Sequence, residues 1–320
     1  MSAYPDAGEL MAGPLGQWLE SQANVRENAK AKANNRLYKC ALFGLPILAF
    51  FVILVPAGLE LKLWVSAATG GIAFWWSQIP KREAIKAVKI GINDAIAGAL
   101  GLKYSHDLEP GRGFEQAKSY RMLPKHHRSN FEDGWSGHYN GRYFVLHEAH
   151  CEERRGSGKN RRWVTVFRGA IITIGLAKDA YGTTLVQRAG KHRRFFGGVK
   201  DEVELGGGVL EYVDMVHPDF EDIFDIFSND QVEARYLVHP TYVERLIKIE
   251  QAFNGDDVCC LFDGSELVVV INSGNMFESG SINAEDDRYR LERTIDQFST
   301  LADLAKSLNE PGRGQSEASA

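Results

Sequence analysis

Two stretches of uncharged, apolar chain stand almost back to back near the N-terminus. One runs twenty residues from Cys40 to Leu59 and the other seventeen from Leu63 to Ile79, with only Glu60-Leu61-Lys62 between them. As helices rising about 1.5 Å per residue they would reach about 30 Å and about 26 Å, against a hydrocarbon core of about 30 Å. Soluble cores rarely hold uncharged helices of that length, so a buried soluble hairpin is the weaker alternative. The expectation is a transmembrane helical hairpin over residues 40–79 with its turn at residues 60–62. Pro46 would kink the first helix, and Gly70-Gly71 would let the two approach closely. No ionisable residue lies inside either run, which argues against an ion or proton path through the pair.

Orientation follows from the flanks. Arg26, Lys30, Lys32, Arg36 and Lys39 precede the pair and Lys81, Arg82, Lys86 and Lys89 follow it, whereas the turn offers Lys62 alone. The positive-inside rule places both termini in the cytoplasm. Trp75 and Trp76 at one end of the second run and Trp64 at the other suit the aromatic belts of the two interfaces. A cleaved signal peptide fits poorly, because the first run is too long and a second follows at once.

The remainder is a chain that can bury a core. Forty-four per cent apolar and 25% charged residues exclude wholesale disorder. A net charge of −5 is no general signature of nucleic-acid binding. Cysteines at 40, 151, 259 and 260 are too few and too uneven for a disulfide framework, and a reducing compartment suits them.

Residues 1–14 lack periodicity and suggest a mobile tail, and 20–39 a polar helix, so that 1–39 lead into the hairpin. From Lys81 to Leu102 the apolar residues Ile85, Val88, Ile92, Ile96 and Leu100 recur at helical spacing. Strand patterns follow at 142–149, 162–174, 183–187, 209–215, 258–262 and 267–272, punctuated by Gly, Asn and Asp as in an antiparallel sheet. Helical spacing returns at 242–253 and 288–308. The fold class expected is therefore α+β: a hairpin at 40–79, a cytoplasmic domain over 80–308 with a mainly antiparallel sheet and flanking helices, and a disordered tail at 309–320.

Two stretches carry a family resemblance. Val166-Phe167-Arg168-Gly169-Ala170-Ile171-Ile172 and the longer segment from Asp219 to Pro240, with Ser228-Asn229-Asp230-Gln231-Val232-Glu233-Ala234-Arg235 at its centre, resemble motifs of an uncharacterised bacterial membrane-protein family, domain of unknown function 3137. The similarity runs loosely from about residue 80 to about residue 305. The resemblance implies a transmembrane hairpin before a cytoplasmic α+β domain and a bacterial inner membrane, and it brings no catalytic residues. Independently of it, Asp230 followed three residues later by Glu233 has capping-box spacing, so the segment reads as a folding motif before a catalytic one.

The common catalytic templates are missing. Gly156-Ser157-Gly158-Lys159 lacks the earlier glycine of a phosphate loop and has Asn160 where Ser or Thr is needed, so it reads as the tip of a basic hairpin. Gly111-Arg112-Gly113 has no third glycine, and no G-x-S-x-G elbow occurs. His147, His150 and Cys151 are the metal-ligand candidates, with Glu148 and Glu152 beside them. On a strand, however, residues 147 and 150 point to opposite faces, and Cys259-Cys260 would complete a four-ligand site only if the fold brought it near. No catalytic residue and no cofactor is expected.

Charge is unevenly placed. From Arg154 to Lys200 there are twelve Lys or Arg and one acid, Asp179, and from Asp201 to Glu233 there are eleven acids and no Lys or Arg. In one reading the blocks face each other across the sheet as surface ion pairs, each worth at most about 1 kcal/mol. In the other they form a basic face for anionic lipid, acidic proteins or nucleotides, built from Arg154, Arg155, Lys159, Arg161 and Arg162 together with Arg188, Lys191, Arg193 and Arg194. The expected function is a binding adaptor or regulator at the membrane surface. Its expected partners are the lipid bilayer, a protein and anionic lipid, and overall acidity counts against nucleic acid. A membrane-anchored metal-dependent or hydrolytic enzyme, its site assembled from distant residues, is the alternative.

Overall fold

The computed structural model describes residues 4–109, 111–139, 141–192, 198–214, 223–252 and 257–308. The chain forms two compact units, residues 1–95 with 278–293 and residues 96–277 with 294–320.

The first unit is helical. Asp6 caps α1 (Ala7–Ala12), accepting from the Glu9 N–H at 3.1 Å, in the stretch where composition alone suggested a tail. Two long helices follow, α2 (Pro14–Leu54) and α3 (Leu59–Ala99). The polar helix and the first apolar run are thus one continuous helix, and Pro46 lies inside it. Between the two helices the break falls at residues 55–58, not at 60–62, because Pro56 disfavours helical geometry in Val55, which is extended at φ −82° and ψ 122°. Glu60 and Lys62 fall in the first turn of α3, and the Lys62 ammonium donates to the Val52 carbonyl at 2.6 Å, satisfying one of the orphan acceptors at the end of α2.

The helices run antiparallel. Arg36 of α2 lies 4.6 Å from the Trp76 ring centroid of α3, and a Cβ on Gly91 of α3 would stand 2.2 Å from the Trp18 ring of α2. Close approach is therefore at Gly91. A Cβ on Gly70 or Gly71 would meet nothing within 4 Å, so these glycines do not serve the packing expected of them.

Burial along α2 is inverted relative to a soluble helix. Its polar half buries Leu15, Leu19, Arg26, Ala29 and Ala33, whereas Leu42, Phe43, Leu45, Ile47, Phe50 and Ile53 of its apolar half are exposed. Among the described residues α2 is the one helix long and apolar enough to cross a membrane, and none of its most apolar stretch is buried in the protein. The second run, in α3, is equally exposed at Leu63, Trp64, Ile72 and Phe74 but is diluted by Ser66, Thr69, Gly70, Gly71, Ser77 and Gln78.

The segment 278–293 closes this unit. Arg26 is almost wholly buried and holds Asp287, the first residue of α7 (Asp287–Leu308), through two hydrogen bonds of 2.7 and 2.8 Å. Lys89 pairs with Glu278 at 3.0 Å, and the Ser279 hydroxyl donates to Asn93 at 2.7 Å.

The second unit is a ten-stranded antiparallel sheet with helices. Its strands are β1 (Leu102–Asp107), β2 (Arg128–Tyr139), β3 (Arg142–Arg155), β4 (Arg162–Gly175), β5 (Thr184–Arg188), β6 (Glu202–Leu205), β7 (Gly208–Tyr212), β8 (Phe224–Ser228), β9 (Val258–Asp263) and β10 (Glu266–Ile271). Their order is β1-β2-β3-β4-β10-β9-β5-β8-β7-β6. The α+β class with a large antiparallel sheet is as the sequence indicated.

Both faces of the central strands are covered, which is why β9 and β10 are continuous apolar runs and not alternating ones. On one face Phe114 and Ala117 of α4 (Arg112–Ser119) join Phe131, Ile171, Leu261 and Val270. On the other, Tyr242 of α6 (Pro240–Ala252) lies 5.5 Å from Phe262, and Phe298 of α7 lies 4.9 Å from Trp135 and 5.8 Å from Phe144, ring to ring. A short α5 (Gln231–Leu237) precedes α6.

Candidate functional site

The basic hairpin forms as its spacing predicts. β3 and β4 pair as far as Arg154 with Trp163 and Arg155 with Arg162, and a 3-10 turn at Gly158–Asn160 closes the tip. Gly156 is required there: its φ is +95°, and a Cβ would lie 2.4 Å from the Asn160 carbonyl oxygen. Arg154, Arg155, Arg161 and Arg162 are all exposed, and the Lys159 side chain lies outside the described residues. Trp163, 42% exposed, is covered on one face by the Arg128 guanidinium at 4.0 Å from its ring centroid.

The acids that meet these bases come from the hairpin itself. Arg128 pairs with Glu152 at 2.6 Å and Arg155 with Glu153 at 2.6 Å. The hydrogen bond and charge of Arg128 hold the Glu152 carboxyl below its usual range. The acidic block is elsewhere: β6 and β7 pair with each other at the sheet edge, Glu202 opposite Glu211, and four strands separate β7 from β4. Five strand spacings amount to about 24 Å, far beyond an ion pair. The face-to-face pairing of the two blocks therefore does not occur at this cluster.

The second basic cluster is built into the sheet instead. Arg188 ends β5 opposite Phe224, with its guanidinium 5.2 Å from that ring. Lys191 lies 2.5 Å from Asp257 and donates to Cys259 at 3.2 Å. Burial pulls the Lys191 ammonium down, but its neighbours outweigh this and the net shift is upward. Because burial pushes the Cys259 thiol up to about 12, that thiol is neutral and Asp257 is the counter-ion. Lys191 is thus engaged within the fold, while Arg193 and Arg194 lie outside the described residues.

The metal-ligand candidates are separated. His147 and Cys151 share one face of β3, packed in the core with Phe131 and Ala149, and His150 points from the other, its Nε2 2.8 Å from the Thr165 hydroxyl. Burial drives the His147 imidazole down to about 4 and the Cys151 thiol up to about 11. Cys259-Cys260 lies on β9, three strand spacings from β3, about 14 Å and too far to share a tetrahedral ion.

One polar cluster was not foreseen. Asp133, fully buried on β2, sits at a positive φ of 51° where the register of β2 against β3 shifts. The Tyr104 hydroxyl donates to its carboxylate in a short hydrogen bond, and His106 Nδ1 lies 3.5 Å away. The only trace in the sequence is the alternation of Tyr104 and His106 in a polar strand. β2 itself carries two glycines and no clean apolar period, so nothing marked Asp133 as internal.

The long motif is spent on backbone. Asp230 caps α5, accepting from the N–H groups of Val232 (3.0 Å) and Glu233 (2.9 Å). Glu233 does not complete the capping box: it accepts from the N–H groups of Tyr181 (2.9 Å) and Gly182 (2.7 Å), and Asn229 accepts from that of Thr183 (2.7 Å). The short motif has a steric reason too, since a Cβ on Gly169 would lie 1.9 Å from the Ile271 carbonyl oxygen.

No curated protein matches the sequence. The crystal structure of the mycobacterial trehalose monomycolate transport factor A, TtfA, aligns at 10% identity with a TM-score of 0.32, covering 71% of this chain and 97% of that one, a likeness too slight to carry argument. Residues 165–310, which contain both motifs and begin well after the outset of the looser resemblance, match the family described as protein of unknown function (DUF3137).

Proposed function

We propose that the chain is an inner-membrane protein whose helices α2 and α3 cross the bilayer as a hairpin with both termini cytoplasmic, and whose sheet unit acts by binding at the membrane surface as an adaptor or regulator. The observation that carries this is the inversion along α2, buried where it is polar and exposed where it is apolar. Water would penalise that exposure by about 25 cal/mol per Å² of apolar surface, and a bilayer removes the penalty. The antiparallel pairing at Arg36–Trp76 and the basic residues on the same end of both helices support a double crossing.

Two features support binding over covalent chemistry. The basic hairpin tip with Trp163 offers cations and an interfacial aromatic together, which suits anionic headgroups. On the motif helix, Val232 and Tyr236 are exposed one turn apart beside Tyr181, an apolar patch fit for a protein partner.

Topology is tested in intact cells with cysteine substitutions and a membrane-impermeant thiol reagent. A cysteine at Leu61 should react from outside, and cysteines at Ser21 or Ser299 only after lysis. Reaction at Ser21 in intact cells would overturn the orientation, and protection at all three sites would overturn the double crossing.

A further inference from the structure

β6 ends the sheet, so no strand lies along its outer side. Its pairing with β7 fixes which of its backbone groups look outward. The Tyr212 N–H donates to the Asp201 carbonyl at 2.7 Å, so residues 201, 203 and 205 exchange hydrogen bonds with β7, and residues 200, 202, 204 and 206 turn theirs away. The outermost of these are taken: the Lys200 N–H donates to the His192 carbonyl (2.9 Å), and the Gly206 N–H to the Ser119 carbonyl at the end of α4 (3.3 Å). Between them, the N–H and C=O groups of Glu202 and Glu204 meet no hydrogen-bond partner among the described residues. The open edge is thereby trimmed to the window from Glu202 to Glu204. It is also held in place. Val203 and Leu205 are buried in the core, and the turn at Gly206 and Gly207, with φ of +61° and +83°, is the two-residue form whose twist suits paired strands.

The exposed face of this window is acidic. Glu202 stands directly opposite Glu211, and Glu204 opposite Val209, with all these side chains exposed. Like charges facing each other across a strand pair destabilise it. Gln231 Nε2 donates to Glu211 at 3.1 Å but brings no charge, and neither Glu202 nor Glu204 forms an ion pair among the described residues. Charge on an edge strand guards against pairing with a second copy of the same edge, because an antiparallel contact between two β6 strands would set glutamate against glutamate. That purpose needs charge on β6 alone. Glu211 lies on the inner strand, where it adds little to edge protection and raises the cost of the pair, and the three carboxylates together ask for cations.

We propose that the outer edge of β6 takes a short extended segment of a partner protein as an added strand, with Lys or Arg at two positions separated by one residue. In the antiparallel register of the other strand pairs, the residues opposite Glu202 and Glu204 exchange N–H and C=O hydrogen bonds with them and lay their side chains on the face of the carboxylates. Backbone pairing supplies the strength of such a contact and the two cations its selectivity, since an acidic strand is repelled. The inference rests on the reading of the sheet unit as a binding adaptor and gives that adaptor a partner chemistry at a surface separate from the basic hairpin.

The test uses fluorescence anisotropy of dye-labelled, end-capped pentapeptides with the full chain in neutral detergent at low salt. The probes are Thr-Lys-Val-Lys-Thr, the same peptide N-methylated at both lysine amides, and Thr-Glu-Val-Glu-Thr. The lysine peptide should bind, and N-methylation should weaken it at least about tenfold, as expected for two lost backbone hydrogen bonds. Replacing Glu202 and Glu204 together with Gln should weaken it at least about tenfold as well and flatten its dependence on salt. Equal binding of the methylated peptide overturns strand addition, and binding insensitive to the double Gln variant overturns β6 as the place. Binding of the glutamate peptide alone overturns the edge while leaving an adaptor that works through its arginines. Lysine-peptide binding at β6 in a chain whose arginine tip shows no attraction to anionic lipid keeps the edge and removes the membrane-surface reading. Self-association at low salt that is lost both in the Glu202, Glu204 double variant and on changing Arg161 and Arg162 to Gln names a second copy's hairpin as the occupant and overturns a separate partner.

Discussion

His147 and Arg26 show two ways of burying a titratable side chain. Asp287 meets the buried Arg26 guanidinium with two hydrogen bonds, and the carbonyls of Ser281 and Leu19 accept from its two terminal nitrogens, leaving Nε–H without a partner among the described residues. His147 has no such partner: it packs edge-on to Phe131, and its Nε2 meets no hydrogen-bond acceptor or donor among the described residues. Burial therefore keeps it neutral, with the imidazole at about 4 against an ordinary 6.5. Above pH 6.5 neither folded nor unfolded chain is protonated there, and the group costs nothing. As pH falls from 6.5 towards 4 the unfolded chain takes up the proton and the folded chain does not, so stability drains away across that window and no further below it. At pH 5 the loss should be about 2 kcal/mol. Urea unfolding of the full chain at pH 7 and pH 5 measures it, and His147→Phe should flatten the difference by about that amount. Equal pH dependence in both proteins would show that His147 is protonated or solvated in the fold.

At the scale of elements, the segment from Ser228 to Glu233 acts as a latch between the start of α5 and the 181–183 loop. Removing the cap with Asp230→Ala should cost about 1 kcal/mol, because two N–H groups at the helix start lose their acceptor. Glu233→Ala should leave global stability nearly unchanged but raise hydrogen exchange at the Tyr181 and Gly182 amides, whose acceptors it removes. Unchanged protection at those amides would mean that the loop is held by other contacts. The helix cap was legible because capping depends on residues three apart in one element. The Glu233 clamp was not, because its partners lie more than fifty residues away and only the pairing of β5 with β8 brings them together. The same limit explains β1, β2, β6 and β8, which the sequence pattern did not reveal. β1 and β6 are short and polar on one face, β2 is broken by a bulge and glycines, and β8 is buried on both faces, where alternation disappears. Strands β3, β4, β9 and β10 were legible because each is a sustained apolar or alternating run.

At the scale of the molecule, the two charge blocks look like partners in the sequence because they adjoin, and the strand order parts the hairpin arginines from the acidic strand pair, while Arg188 stays beside β8. The hairpin tip with Arg154, Arg155, Arg161 and Arg162 belongs to β3 and β4, and the acidic β6–β7 pair is the opposite edge strand and its neighbour. A sheet unit with this charge separation should take a preferred orientation against an anionic surface, basic tip towards the lipid and acidic edge away from it. In the full chain reconstituted into vesicles, a spin label at Ser157, on the exposed tip, and one at Val209, exposed on β7, report the two ends. In anionic vesicles at low salt the Ser157 label should gain contact with lipid-soluble relaxants while the Val209 label remains in water. The Debye length shrinks from about 8 Å at physiological salt to about 3 Å at 1 M, so added salt should release the tip. Neutral vesicles should never capture it. Replacing the four arginines with Gln should act like the neutral lipid and leave the fold intact, since exposed substitutions usually shift stability by less than about 0.5 kcal/mol. A Ser157 label equally hydrated in anionic and neutral vesicles at low salt would mean that the segregated charge does not orient the unit, and the basic hairpin would then have to serve a soluble or protein partner.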